Sequence, residues 1–259
     1  MGGSIVVGTN DWKFCLKIHF VQMLRSRLLK KWANLTQFTG DSYLQAMMGH
    51  GLHANSNSEL IDKLVHRGFL QVPKMEMVDL IKTVDRARFL PRSIDRSLVY
   101  SNQPQKLSKM HAMSTPQFHA QIISLLSSRL GPGRTALEIG CGSGYIPAVM
   151  EACGCELVVG VEQDEELLSL CRENLDSNVI VTRIVPADFE YDAIYISPFV
   201  ASMTSLGEFL KPISVSSDAV VVAAVGEELQ PDQQLVILER DQDKWKATKL
   251  FRVLCEPLV

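Results

Sequence analysis

The chain has 259 residues, 46% of them hydrophobic and 21% charged, with a net charge of −3. That composition suits one large globular domain, alone or with an extension. It excludes a global electrostatic case for nucleic-acid binding, and no apolar run approaches the roughly 18–20 residues that span a bilayer. Six cysteines (Cys15, Cys141, Cys153, Cys155, Cys171 and Cys255) form no CxxC pair. Reduced thiols are therefore expected, rather than a disulfide framework or a metal site.

Residues 1–55 read as a basic N-terminal extension. From Trp12 to Gly40 there are six basic residues and no acidic one, and Phe20, Leu24, Leu28 and Trp32 recur every four positions. This is the pattern of an amphipathic basic helix. It fits an organellar transit peptide, a membrane-surface helix, a partner-docking helix or a helix packed on the domain. The first nine residues lack a basic region before an apolar core, so no secretory signal is expected. A cytoplasmic location is expected, with organellar targeting by residues 1–35 as the alternative.

Residues 56–259 read as one domain. Ser56-x-x-Glu59 has the spacing of a capping box, Leu60, Ile61, Leu64 and Val65 form an apolar stripe, and Gly68 stands where a helix would end. Pro73 opens a second helix through Val84. Residues 90–113 show little periodicity and read as a long, lid-like loop. From Pro116 onward helical and strand patterns alternate. Helices are expected over Gln117–Leu130, Asp164–Leu175 and Met203–Leu210. Strands are expected over Ala136–Ile139, Glu156–Val161, Val179–Val185, Asp192–Ser197 and Ala219–Val225. Gln234–Glu239 and Lys249–Cys255 should add an antiparallel element. The fold class is α/β, a doubly wound, mostly parallel sheet with N-terminal helices.

The first strand runs into Gly140-Cys141-Gly142-Ser143-Gly144, with Glu138 two positions before the first glycine and Tyr145 where a dinucleotide loop would need its third. Missing side chains let a ligand approach the backbone there. An acid beside the loop suits a ligand carrying positive charge, such as S-adenosylmethionine with its sulfonium and ammonium. The second strand ends at Glu162, about the spacing at which an acid receives ribose hydroxyls.

From about Asn57 to Val259 the chain resembles the protein-L-isoaspartate O-methyltransferase family. The resemblance is carried by Ser58-Glu59-Leu60-Ile61 with Gly68, Val84-Asp85-Arg86-x-Arg88-Phe89, Tyr100 through Pro104-Gln105, and Ser114-Thr115-Pro116-Gln117-Phe118-His119-Ala120. It continues through Glu138 to Tyr145, Gly160-Val161-Glu162, Tyr191-Asp192-Ala193-Ile194, Leu210-Lys211-Pro212 and Arg252-Val253-x-x-x-Pro257-Leu258. It implies a Rossmann-like methyltransferase domain that transfers a methyl group from S-adenosylmethionine to the α-carboxyl of L-isoaspartyl residues in damaged proteins. Its partners would be proteins or peptides containing such residues, with no nucleic acid and no transmembrane segment, and a monomer is expected.

By the same resemblance Ser114 is the catalytic hydroxyl and His119 belongs to the cofactor site. Glu138, Gly140, Gly142, Ser143 and Gly144 would meet the cofactor's amino-acid half, and Glu162 with Gln163 its ribose. No metal is expected. The chain also departs from the family pattern. Gln117 replaces a histidine, and Ser108-Lys109-Met110-His111-Ala112 replaces the run before the serine. The acidic glycine turn on the adenine side is missing, leaving Asp188 as its candidate replacement or as a plain surface turn. Ser197-Pro198-Phe199 replaces a small-residue loop, so that Phe199 could narrow the site. Two alternatives follow: a carboxyl methyltransferase with another substrate, or a catalytically silent binding or adaptor module.

Overall fold

A computed structural model describes residues 52–109, 111–176, 178–226 and 233–253. The basic helix expected from Phe20 to Trp32 lies outside these residues. Packing begins before Ser56: Leu52 and Ala54 are buried, and Leu52 and Ala54 exchange backbone hydrogen bonds with Asn102 and Tyr100.

The first helix, α1 (Asn57–His66), starts at Ser56, whose hydroxyl accepts the Glu59 amide, while Glu59 reaches back to the amide of Asn55 rather than of Ser56. Leu60, Ile61 and Leu64 turn into the core. Helix α2 (Met75–Thr83) begins two residues after Pro73. Asn57 joins the two helices. Its amide donates to the carbonyls of Lys82 (2.9 Å) and Val84 (3.0 Å), and its oxygen accepts the Arg86 amide (3.3 Å). A buried side chain that satisfies three backbone groups fixes where the next segment starts.

That segment is a 3-10 turn over Arg86–Phe89, capped by Asp85, followed by the single turn α3 (Arg96–Val99). Tyr100 donates its hydroxyl to Asp85 at 3.0 Å. The region expected to be a long loop contains a small antiparallel hairpin, β1 (Gln105–Lys106) with β2 (Ala112–Met113). Helix α4 (Pro116–Leu126) opens with proline in its first turn and Thr115 as its cap, and ends earlier than expected in a 3-10 turn over Ser127–Arg129.

The main sheet then forms from β3 (Thr135–Ile139), β4 (Leu157–Val161), β5 (Val179–Thr182), β6 (Tyr191–Val200), β7 (Val215–Val225), β8 (Gln234–Asp241) and β9 (Lys244–Arg252). The helices between them are α5 (Tyr145–Ala152), α6 (Glu165–Asn174) and α7 (Met203–Leu210). The sheet has seven strands in the order β5-β4-β3-β6-β7-β8-β9. The first five are parallel, and β8 and β9 add the expected antiparallel pair.

Alternate residues of the central strands enter two separate cores, as a sheet covered on both faces requires. Ala193 and Tyr195 of β6 with Val220 and Val222 of β7 face the N-terminal helices' side. Ile194 and Ile196 with Val221 and Ala223 face the side of α7, where Leu206 and Leu210 cover them. Each fully buried valine or isoleucine contributes roughly 1.5–3 kcal/mol, so a one-residue slip of β6 would be costly on both faces. Consecutive strands cross over in opposite directions from β3, leaving a crevice at its carboxyl end between β4 and β6.

Candidate active site

A cleft open to solvent lies over that crevice. Its walls are Ser114 and His119 from the start of α4, Glu138 from β3, the loop from Gly140 to Ser143, and Tyr145 at the head of α5. Leu107, Ala112 and Met113 of the hairpin form its lip. The segment read as a lid-like loop therefore supplies one side of the cleft as paired strands.

The glycine loop differs from its expected role in detail. Gly140 has φ +76°, and a Cβ there would stand 2.7 Å from Pro198 Cδ; at Gly144, φ +93°, it would stand 2.9 Å from Leu175. Both glycines make room for the protein's own side chains. At Gly142, φ +55°, a Cβ would make only an ordinary van der Waals contact, 3.6 Å from Leu107 Cδ1, and both residues line the cleft. Helix α5 has no side-chain cap at Gly144, so its first amide groups remain available beside the cleft.

Glu138 is buried, and its Oε2 has no hydrogen-bond partner. Burial, with the nearby Cys171 and Glu162, holds its carboxyl well above the usual carboxylate range. An orphaned acid in a cleft is a ready partner for a cationic group. Glu162, also buried, lies one turn of the loop away. Its Oε2 accepts the Gly142 amide (2.8 Å), and its Oε1 accepts those of Gln163 (2.8 Å) and Asp164 (3.0 Å). It thus ties the glycine loop to the end of β4, beside the cleft lining rather than in it.

Gln163 is exposed and donates to the Arg183 carbonyl. Asp188 is exposed on a turn before β6, outside the cleft lining, where with burial it raises the Tyr191 hydroxyl to about 12. Phe199 is buried in strand β6 and does not narrow the cleft; its neighbour Pro198 is what meets the glycine loop. Gln117 turns away to Asn102: its amide donates to Asn102 Oδ1 (2.9 Å) and its side-chain oxygen accepts Asn102 Nδ2 (3.0 Å).

Arg86, which its residue type alone does not mark as a site residue, lies behind the cleft wall. Its guanidinium is fully buried, donates to the Ser114 carbonyl (2.9 Å) and faces His119 Nδ1 (3.3 Å). The His119 ring stacks on Tyr145 with centroids 5.1 Å apart. The signal available in the sequence was its place beside Asp85; its burial could not be read there. Cys141 and Cys171 are buried with sulfurs 3.5 Å apart as free thiols.

The family described as protein-L-isoaspartate(D-aspartate) O-methyltransferase (PCMT) matches residues 55–253. The chain belongs to that family. A protein-L-isoaspartate O-methyltransferase of Caenorhabditis elegans is 33% identical over 47% of the chain and 52% of its own length. One from Roseiflexus sp. is 29% identical over 80% of the chain and 93% of its own. Among relatives from C. elegans, wheat and Arabidopsis thaliana, the match spans about half of each relative's length. A Plasmodium falciparum structure assigned to this enzyme and bound to S-adenosyl-L-homocysteine is 22% identical, with a TM-score of 0.64 over 80% of this chain and 99% of that one. It shares the fold of this PCMT-family domain.

Proposed function

We propose that the protein transfers a methyl group from S-adenosylmethionine to the α-carboxyl of L-isoaspartyl residues in damaged proteins or peptides. Family membership supports the reaction, and one observation supports the site: Ser114, His119, Glu138 and the glycine loop line a single cleft at the carboxyl end of β3. The cofactor supplies an electrophilic methyl on a sulfonium. Its fit rests on the orphaned Glu138 oxygen and the side-chain-free backbone of Gly142, which both line the cleft.

In this reading Glu138 and the loop from Gly140 to Gly144 hold the cofactor's amino-acid half, with Ser143 and His119 beside it. Glu162, with Gln163, is offered to the ribose; one carboxylate can keep its backbone bonds and still accept a hydroxyl, because its two oxygens carry about four acceptor sites. Asp188 would act on the adenine side only from the turn it occupies. Ser114 donates a hydrogen bond to the substrate carboxyl. That group is already ionised at neutral pH, so no general base is needed. The work of the protein is alignment and exclusion of water. A reducing compartment such as the cytosol is part of this reading, supported by four free thiols among the described residues.

Full-length protein given labelled S-adenosylmethionine and paired peptides should methylate the L-isoaspartyl peptide and leave the L-aspartyl peptide unlabelled. Binding of the cofactor without either product would instead favour another carboxylate substrate. No binding at all would leave the adaptor reading.

A further inference from the structure

Among the described residues the buried guanidinium of Arg86 has no carboxylate partner, and its Nε has no hydrogen-bond partner. Such a cation is costly to bury, so its two directed contacts deserve a physical account. Asn57 holds the Arg86 backbone, and the guanidinium then reaches both ends of the segment that builds the cleft wall: the Ser114 carbonyl at 2.9 Å and His119 Nδ1 at 3.3 Å. A guanidinium carries donors only. The nitrogen facing it must therefore offer its lone pair.

We propose that Arg86 is a positioning residue that fixes His119 as the neutral tautomer with its proton on Nε2, so that the cleft receives an N–H donor close to Ser114. His119 lines the cleft and Arg86 does not, which leaves Nε2 as the nitrogen on the cleft side of the ring. The ligand group that matches is a carboxylate oxygen. Assigning it to the carboxylate of S-adenosylmethionine rests on the function proposed above; the tautomer does not.

The surroundings agree. Burial, and then Arg86, hold the His119 pKa well below the usual histidine range. Arg86 itself, lowered to about 10 by burial, stays charged at neutral pH. Tyr145, whose ring stacks on the imidazole, is raised to about 12 by burial and stays neutral. Glu138 and Cys141, which line the same cleft, are both pushed well above their ordinary values. A permanently neutral His119 is the state this set of neighbours selects.

The test is long-range ¹H–¹⁵N NMR of the full chain labelled at histidine. Between about pH 5 and about pH 8, a range that spans the ordinary imidazole titration, His119 should keep a bare Nδ1 and a protonated Nε2. In Arg86→Met the fixed preference should be lost, with both neutral tautomers populated. A proton on Nδ1 in the wild type, or ordinary titration there, would overturn the proposal. If Arg86→Met does not fold, a second pair decides. His119→Gln places an amide donor where Nε2 stands, and His119→Asn places one near Nδ1. S-adenosylhomocysteine should bind the Gln variant within about threefold of wild type and the Asn variant at least about tenfold more weakly, the loss expected for one hydrogen bond to a charged group. The reverse order would also overturn it. If S-adenosylhomocysteine binds no form of the protein, the proposed function fails while the wild-type spectrum still decides the tautomer.

Discussion

The two ends of the central strands handle charge in opposite ways. At the amino end Arg134 lies between Asp192 (2.7 Å) and Asp218 (3.1 Å), and the other oxygen of Asp192 accepts the Thr135 amide at 2.8 Å. At the carboxyl end Glu138 lines the cleft, and its Oε2 has no hydrogen-bond partner among the described residues. A satisfied network stabilises and specifies a fold, whereas buried groups left short of partners cost free energy unless a ligand completes them. The same sheet thus has a structural end and, in the function proposed above, a binding end.

Breaking the paired end should give the largest change in stability. Asp192→Ala leaves the Thr135 amide without its partner and Arg134 with Asp218 alone, and should cost about 1–3 kcal/mol in urea unfolding. S-adenosylmethionine affinity should stay at the wild-type level. A parallel loss of affinity would mean that the two ends are coupled.

At the other end Glu162→Ala should weaken S-adenosylmethionine binding by roughly 1–3 kcal/mol, since ribose hydroxyls and the Gly142 amide lose one partner together. Isothermal titration checks this; unchanged affinity would mean that the ribose does not lie at Glu162.

Much of this division was legible in the sequence, and the rest was not, for physical reasons. Short apolar runs alternating with helical patterns placed the central strands, Ser56 and Pro116 placed helix starts, and Glu138 beside a glycine run marked the strand end at which the cleft lies. Contacts between residues distant in sequence were invisible. Nothing local shows that Pro198 fills the vacancy at Gly140, that Leu175 fills the one at Gly144, or that Asn102 engages Gln117. Arg86 reads as a surface residue by type, because burial of a cation depends on the whole packed arrangement. Asp188 had the right residue type near the right strand, but the turn that carries it leaves it exposed, outside the cleft lining.

Acid–base linkage sharpens the contrast. Glu138 holds its proton in the fold to a pH well above that of an exposed glutamate near 4.5. Between those two values the folded chain binds one more proton than the unfolded chain. Stability therefore falls as pH rises, by up to about 1.4 kcal/mol per unit from this group. In Glu138→Gln that component of the slope should vanish. Denaturant titrations from about pH 5 to about pH 8, where proteins are commonly most stable, check it; identical slopes would count against a protonated Glu138.

The smallest effect is expected at the rim. His111 Nε2 lies 3.5 Å from Asp164 Oδ2, joining the hairpin tip to the start of α6. Both side chains are partly exposed, so His111→Ala should change stability by less than about 1 kcal/mol, measurable as a small shift in thermal midpoint.

The central claim is that the carboxyl end of β3 awaits a cationic ligand at Glu138. Calorimetric titration of S-adenosylmethionine near pH 7, in two buffers of different ionisation enthalpy, tests it most directly. Binding should release more protons in the wild type than in Glu138→Gln, because a cation beside a buried acid favours its ionised form, and Glu138→Gln should also bind more weakly. Equal proton release and equal affinity in both proteins, or no binding heat in either, would contradict the account.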